Sequence, residues 1–249
     1  MTRDYGHFIE YLHASASSNM EIVHLESIGG YPIYSIALKG SQKARRHVLL
    51  SAGLHGDEPA GPEAIVRFLE RDHGTLLQTF EFFILPCINP HGYVHNTREN
   101  AIGLDINRSF EDDTTQEAIL VKNVLQDRHF DTFVEFHEDW EFEGYYLFEL
   151  QRNQRPIGRK IIENIKQIGP IHSASSIDDM PVKNGIVQTD LEAKKIGNDA
   201  MPLYVFRFHA DHCITSETPT QWDIENRISA HLMVLDVALQ SYLTSTTNG

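Results

Sequence analysis

Apolar positions along the chain follow two rhythms. Short continuous apolar runs have the length of buried strands: "PIYSIAL" (32–38), "HVLLSAG" (47–53), "FEFFILPCIN" (80–89), "FDTFVEFH" (130–137) and "YYLFEL" (145–150). Between and after them, apolar residues fall at helical spacing in "PAGPEAIVRFLERDH" (59–73), "TTQEAILVKNVLQDR" (114–128), "RPIGRKIIENIKQIG" (155–169) and "DIENRISAHLMVLDVALQSYL" (223–243). "LYVFRF" (203–208) and "CITSE" (213–217) read as two more strands. The stretch 176–202 has weak periodicity and many turn residues, which predicts a long functional loop. Strands alternating with helices predict one α/β domain over 1–249: a mixed, largely parallel twisted sheet with helices on both faces. The Thr/Ser-rich end, 244–249, is expected to be a disordered tail.

Composition narrows the partners. Hydrophobic residues make up 41% and charged residues 22%, ordinary for a globular domain of 249 residues. A formal net charge of −14 argues against a general affinity for nucleic acid or anionic membranes, which select for Lys and Arg. The start, "MTRDYGHFIEYLHASASS", lacks the apolar core of a signal peptide, so the expected location is the cytoplasm. Cys87 and Cys213 both lie in apolar runs and are expected to be buried free thiols.

The polar residues that interrupt these runs carry the chemistry. His55 and Glu58 follow one strand, Asn89 ends the next, His137 ends a third and Glu217 a fourth. Ligands in open α/β sheets bind beyond the carboxyl ends of the strands, so these groups can converge although they lie far apart in sequence. Two imidazoles and a carboxylate with one open position are a usual catalytic zinc set. Each signal alone is weak: His-x-x-Glu occurs by chance, and a histidine at a strand end is more often simply hydrogen-bonded. The loop "INPHGYVHNTRENAIGLDINRSF" (88–110) adds Arg98, Asn107 and Arg108, any of which alone reads as a solvated surface residue.

Taken together, "HGDE" (55–58), "NPHG" (89–92), Arg98 before "GLDINR" (103–108), "FH" (136–137) and "TSETP" (215–219) resemble the zinc carboxypeptidases of the carboxypeptidase A type. Small bacterial peptidases acting on cell-wall peptides are among their relatives. The motifs stand in the family's order from about residue 48 to residue 240. The resemblance implies the family's zinc carboxypeptidase fold and one Zn2+ held by His55, Glu58 and His137. It also implies Arg98 polarising the scissile carbonyl, Asn107 and Arg108 gripping the substrate's terminal carboxylate, and Glu217 as general base. The implied activity is hydrolysis of the amide bond next to a free C-terminal carboxylate in short peptides. A second reading is a zinc-dependent N-acyl amino acid deacylase of the succinylglutamate desuccinylase/aspartoacylase type, similar around "HGDE". Those enzymes carry a further C-terminal β domain, whereas about thirty residues follow "TSETP" here. A third is a non-catalytic zinc-binding relative, against which Glu217 stands, since structure alone does not demand it.

Some features depart from the digestive enzymes. Asp57 precedes the zinc glutamate where those enzymes carry an arginine, and is expected to orient a ligand histidine. Tyr204 is the available counterpart of the tyrosine that closes over substrate. "HADHC" (209–213) gathers His209, His212 and Cys213 but reads as a core or edge feature rather than a second metal site. The acids Glu135, Glu138, Asp139, Glu141 and Glu143 read as a solvated rim that also suits a cationic substrate group.

Overall fold

The computed structural model describes residues 3–40, 44–152, 156–188 and 200–245. Helix α1 (Tyr5–Ala14) starts at Asp4, whose carboxylate accepts from the His7 backbone N–H. Strands β1 (Met20–Ile28) and β2 (Tyr31–Leu38) form an antiparallel hairpin through Gly29 and Gly30. Then come β3 (Arg46–Ala52), α2 (Ala60–Leu69), β4 (Phe80–Leu85), α3 (Pro90–His95), α4 (Gln116–Leu125) and β5 (Thr132–Asp139). β6 (Tyr146–Gln151), α5 (Gly158–Ile165), β7 (Ser176–Ile177), β8 (Met180–Lys183) and β9 (Ile186–Val187) follow. The chain closes with α6 (Met201–Phe208), β10 (His212–Pro219) and α7 (Ile224–Ser245).

These strands make one mixed sheet in the order β1-β2-β4-β3-β5-β10-β6-β9-β8-β7. Its centre is parallel: β4, β3, β5 and β10 pair in that sense. The flanks are mostly antiparallel, with β1–β2 a tight hairpin and β6 antiparallel to β10, while β9 pairs with β6 in parallel. The central strands are buried on both sides because both faces are covered. Val48 and Leu50 of β3 pack with residues of α1, α2, α5 and α7, while Leu49 packs toward α4 and α6. Both cysteines are buried free thiols. No helix among the described residues is long and apolar enough to cross a membrane.

Three local expectations change. "LYVFRF" is helical, not extended, within α6. Strand alternation would set Leu203, Val205 and Arg207 on one face; the helix buries Met201, Leu203, Val205 and Phe206 and leaves Arg207 and Phe208 outside. "NPHG" starts a helix. The Asn89 Oδ1 accepts from Gly92 N–H at 2.9 Å, and Pro90 occupies the first turn, where its missing N–H costs nothing. Segment 176–202 contributes the short strands β7, β8 and β9 to the sheet edge, with 189–199 outside the described residues. At the C-terminus α7 continues through Ser245, two residues into the expected tail, and 246–249 lie outside the described residues.

Candidate metal centre

Three of the four central strands deliver the site at their carboxyl ends. β3 leads into the turn that carries His55 and Glu58, β5 carries His137, and β10 carries Glu217. In the parallel pairing of β5 with β10, Glu217 stands opposite His137. The fourth, β4, runs into Asn89. That residue's Nδ2 donates to the backbone oxygens of Arg98 and Glu99 at 3.2 and 3.1 Å and so pins the loop bearing Arg98. The "HGDE" and "NPHG" loops meet backbone to backbone. A Cβ on Gly56 would stand 1.9 Å from the Gly92 carbonyl carbon, so this contact excludes any side chain at Gly56.

The result is a buried triad. The Nδ1 of His55 lies 2.7 Å from one Glu58 carboxylate oxygen, and the Nδ1 of His137 lies 2.8 Å from the other. The two Nδ1 atoms are 3.2 Å apart, and one ligand atom from each of the three residues lies within 4.8 Å of the others. Zinc bonds of about 2.0–2.1 Å at tetrahedral angles would set ligand atoms about 3.3 Å apart, so the cluster has the dimensions of a single-ion site. The outward Nε2 edges face carboxylates: Asp105 stands 3.3 Å from His55, and Glu135 stands 3.3 Å from His137. An Nε2–H turned toward an acid leaves Nδ1 as the lone-pair atom, the tautomer a metal requires.

Electrostatics agree with a cation-seeking site. Burial opposes charge on either imidazole, yet Glu58 with Asp105 raises the pKa of His55, and Glu58 with Glu135 raises that of His137 well above its ordinary value. Burial also opposes a charge on Glu58, but His55 and His137 hold it below the usual carboxylate range. The pocket thus draws protons onto the atoms where a metal ion would sit. His55, Glu58 and His137 are positioned to hold one such ion.

Around the triad, the seven residues to which the resemblance gives a role line one cavity of about 410 Å³: His55, Glu58, Arg98, Asn107, Arg108, His137 and Glu217. Arg98 is half-buried; its Nε donates to Asp105 at 3.0 Å and its guanidinium approaches Glu58 at 3.7 Å. The Asn107 Oδ1 accepts from Met201 N–H at 2.8 Å, which leaves the donor Nδ2 as the other end of the amide. Arg108 is exposed. Burial raises the Glu217 pKa well above the ordinary carboxylate range; the neighbouring positive charge of His137 works against it, and Glu58, Asp139 and Glu135 add to it.

One functional residue escaped the sequence reading. Asp105, not Asp57, stands behind His55. It accepts from Asn107 N–H at 2.8 Å, lies against His55 and takes the Arg98 Nε, tying three parts of the site together. Its signal was the Asp-x-Asn turn within "GLDINR". Asp57 is half-buried with an unpartnered Oδ1, and burial followed by the Glu58 charge raises its pKa. The acidic rim also resolves into separate jobs. Glu135 is fully buried behind His137, and Glu138 is buried between the Ala60 N–H and Arg227, its pKa pushed up to about 7 by burial. Asp139 accepts from the Glu141 N–H and the Tyr146 hydroxyl, and Glu141 remains exposed at the cavity. Tyr204 bonds His209 and is not among the cavity residues, whereas Tyr146 is. His209 also meets the Arg128 carbonyl and His212 meets Glu149, so "HADHC" does not converge on an ion.

Two imidazoles and a carboxylate at the carboxyl ends of parallel strands, with arginines and a second glutamate on the same cavity, make a site of the mononuclear metallohydrolase kind. Comparison with known proteins gives the same class. The sequence profile of the zinc carboxypeptidase family matches residues 5–132, and the chain belongs to that family. Carboxypeptidase SOL1 of Arabidopsis thaliana is 28% identical over 99 residues, which are 35% of this chain and 20% of that protein. Carboxypeptidase B2 of Bos taurus is 24% identical over 134 residues, 44% of this chain and 29% of that protein. The matched stretch is thus under a third of either curated relative. A candidate metallopeptidase from Shewanella amazonensis superposes with a TM-score of 0.82 at 25% identity, covering 94% of this chain and 91% of its own. The metallo-carboxypeptidase of Pseudomonas aeruginosa, in complex with (2-guanidinoethylmercapto)succinic acid, shares the fold at a TM-score of 0.74 and 16% identity, over 98% of this chain and 70% of its own.

Proposed function

We propose that this chain is a zinc-dependent carboxypeptidase that hydrolyses the amide bond next to a free C-terminal carboxylate of short peptides, cell-wall peptides among them. The observation that carries the reading is the convergence of His55, Glu58 and His137 with Arg98, Asn107, Arg108 and Glu217 on one cavity. Zinc held by the triad would acidify water to a pKa near 7 and polarise a carbonyl. The protein supplies the rest. Glu217 takes a proton from the attacking water and passes it to the leaving amine, and surroundings that raise its pKa suit a group that must accept and then release a proton. Arg98, held by Asp105, donates to the carbonyl oxygen as negative charge develops there. Arg108 offers a planar fork to the terminal carboxylate, and the anchored amide of Asn107 adds a donor beside it. The Pseudomonas aeruginosa metallo-carboxypeptidase of the same fold is in complex with a small succinic acid derivative, which supports a small carboxylate-bearing substrate for this chain.

The deciding experiment compares zinc-loaded wild type and Glu217→Gln on blocked dipeptides, the same peptides amidated at the C-terminus, and N-acyl amino acids. Expected are release of the free C-terminal residue by wild type, no cleavage of the amidated peptides, and a loss in kcat of about 100- to 10,000-fold in the variant. Preference for N-acyl amino acids over peptides would move the protein to the deacylases. Full turnover by Glu217→Gln would remove the base.

A further inference from the structure

Glu217 occupies an unusual place on its strand. On one side β10 pairs with β6 only as far as Glu217 opposite Tyr146; on the other it continues along β5 to Pro219 opposite Asp139. Beyond Glu217 the strand therefore has one neighbour, and the sheet holds its end from one edge only.

The missing constraint comes from behind. Successive side chains of a strand point to opposite faces, so Thr215 and Glu217 line the cavity while Ser216 and Thr218 face α7. There a single imidazole, His231 of α7, reaches both. Its Nδ1 lies 3.0 Å from the Ser216 hydroxyl and its Nε2 lies 3.2 Å from that of Thr218. The Tyr145 hydroxyl contacts Ser216 from the other side at 3.1 Å. All four residues are fully buried. The same ring stacks on Phe136, centroids 4.6 Å apart, and Phe136 immediately precedes His137.

A buried histidine is often just a satisfied core residue, and packing alone would be met by leucine or phenylalanine. This one spends both ring nitrogens on the two residues that bracket Glu217, while its face rests beside the metal-ligand strand. We infer that His231 is a positioning residue that fixes the Glu217 carboxylate relative to His137. A neutral imidazole, one nitrogen donating and the other accepting, is the one aromatic side chain that can bond both hydroxyls in this geometry. The inference rests on Glu217 being the base proposed above.

His231→Phe keeps the volume and the stacking on Phe136 but removes both polar ends. Its kcat is expected to fall about 10- to 100-fold, the order of loss that a displacement of about 1 Å in catalytic geometry produces. KM should change less than about threefold, and one zinc per chain should be retained. His231→Gln, which keeps a donor and an acceptor, should recover most of the rate. Should the Phe variant not fold, Thr218→Val, which removes one partner, is expected to lower kcat several-fold with KM unchanged. Wild-type kcat in folded, zinc-loaded His231→Phe, or in Thr218→Val, would overturn the inference; so would a fall in kcat that only tracks lost zinc or lost folded protein. Glu217→Gln separates the two levels. If it stays active, the base and the positioning role both fall; if it is inactive while the His231 and Thr218 variants turn over normally, only the positioning role falls.

Discussion

The Nδ1 atoms of His55 and His137 approach to 3.2 Å across 82 positions of sequence. Glu58, which gives one carboxylate oxygen to each ring, offsets two imidazoles at that distance, with Asp105 and Glu135 facing their outer nitrogens. The surrounding carboxylates favour protons on these imidazoles, and a dication held by the three residues would take the place of those protons. Metal and fold are coupled in this way, since an ion bound only by the folded chain stabilises it by mass action.

His137→Ala removes one corner of the triad. Zinc content is expected to fall from one equivalent to near zero, measured by elemental analysis after desalting. For wild type, chelation should lower the melting temperature; free zinc at about 100 times its Kd corresponds to about 2.7 kcal/mol. The variant should melt at a temperature that chelator does not change. Zinc retained at one equivalent would mean that another residue completes the set.

Asp105 is the second test, because it decides which acid supports His55. Asp105→Asn keeps the shape but loses the charge facing His55 and Arg98. Outer carboxylates of this kind typically contribute 10- to 100-fold in metal affinity or activity, so competition with a chromophoric chelator should show a Kd for zinc raised by about that factor. Asp57→Asn, which alters no contact to a ligand histidine, should bind zinc as wild type does. The reverse ranking would restore Asp57 to the supporting role.

How far the sequence reached can be seen in these same residues. Period and run length were enough for the central strands: β3 and β4 are largely apolar, and β5 and β10, buried on both faces, keep enough apolar residues between their polar ones to read as strands. The triad was legible because strand ends in such a sheet point to one crevice. Asp105 was not, since the partner of a ligand depends on how the loop 98–108 folds back, which the Asn89 amide determines through contacts nine and ten residues away. The α6 stretch failed for a different reason. Six residues of mixed apolar and aromatic character satisfy either period, and tertiary packing against the sheet chose the helix. Glu135 and Glu138 were misread because alternation along β5 alone cannot say that both faces are covered.

Arg108 should act on binding of the free carboxylate and on little else. It is exposed at the cavity, so its removal leaves no buried orphan. A charge-assisted hydrogen bond contributes about 1.5–3 kcal/mol, which predicts kcat/KM lower by about 10- to 100-fold for Arg108→Ala on peptides with a free C-terminus, mostly through KM. Steady-state kinetics on a blocked dipeptide checks this. A variant that loses kcat with KM unchanged would place Arg108 in the chemical step instead.

Acid should weaken the fold through His231. Burial lowers its pKa from 6.5 to about 3, with His137 adding in the same direction, so the folded chain keeps this ring neutral where the unfolded chain protonates it. Between those two values the unfolded state binds one more proton, and stability therefore rises with pH. The contribution is complete above about pH 6.5 and is lost as pH falls toward 3, at about 1.4 kcal/mol per pH unit. His231→Gln has no such proton to bind. Denaturant unfolding of both chains after metal removal, from pH 7 to pH 4, should show wild type losing stability more steeply by about that slope, with the shared contributions of His55, Glu58 and His137 cancelling in the difference. Parallel curves for the two chains would mean that His231 is protonated in the folded state. The imidazole would then donate from both nitrogens, to Ser216 and Thr218 alike.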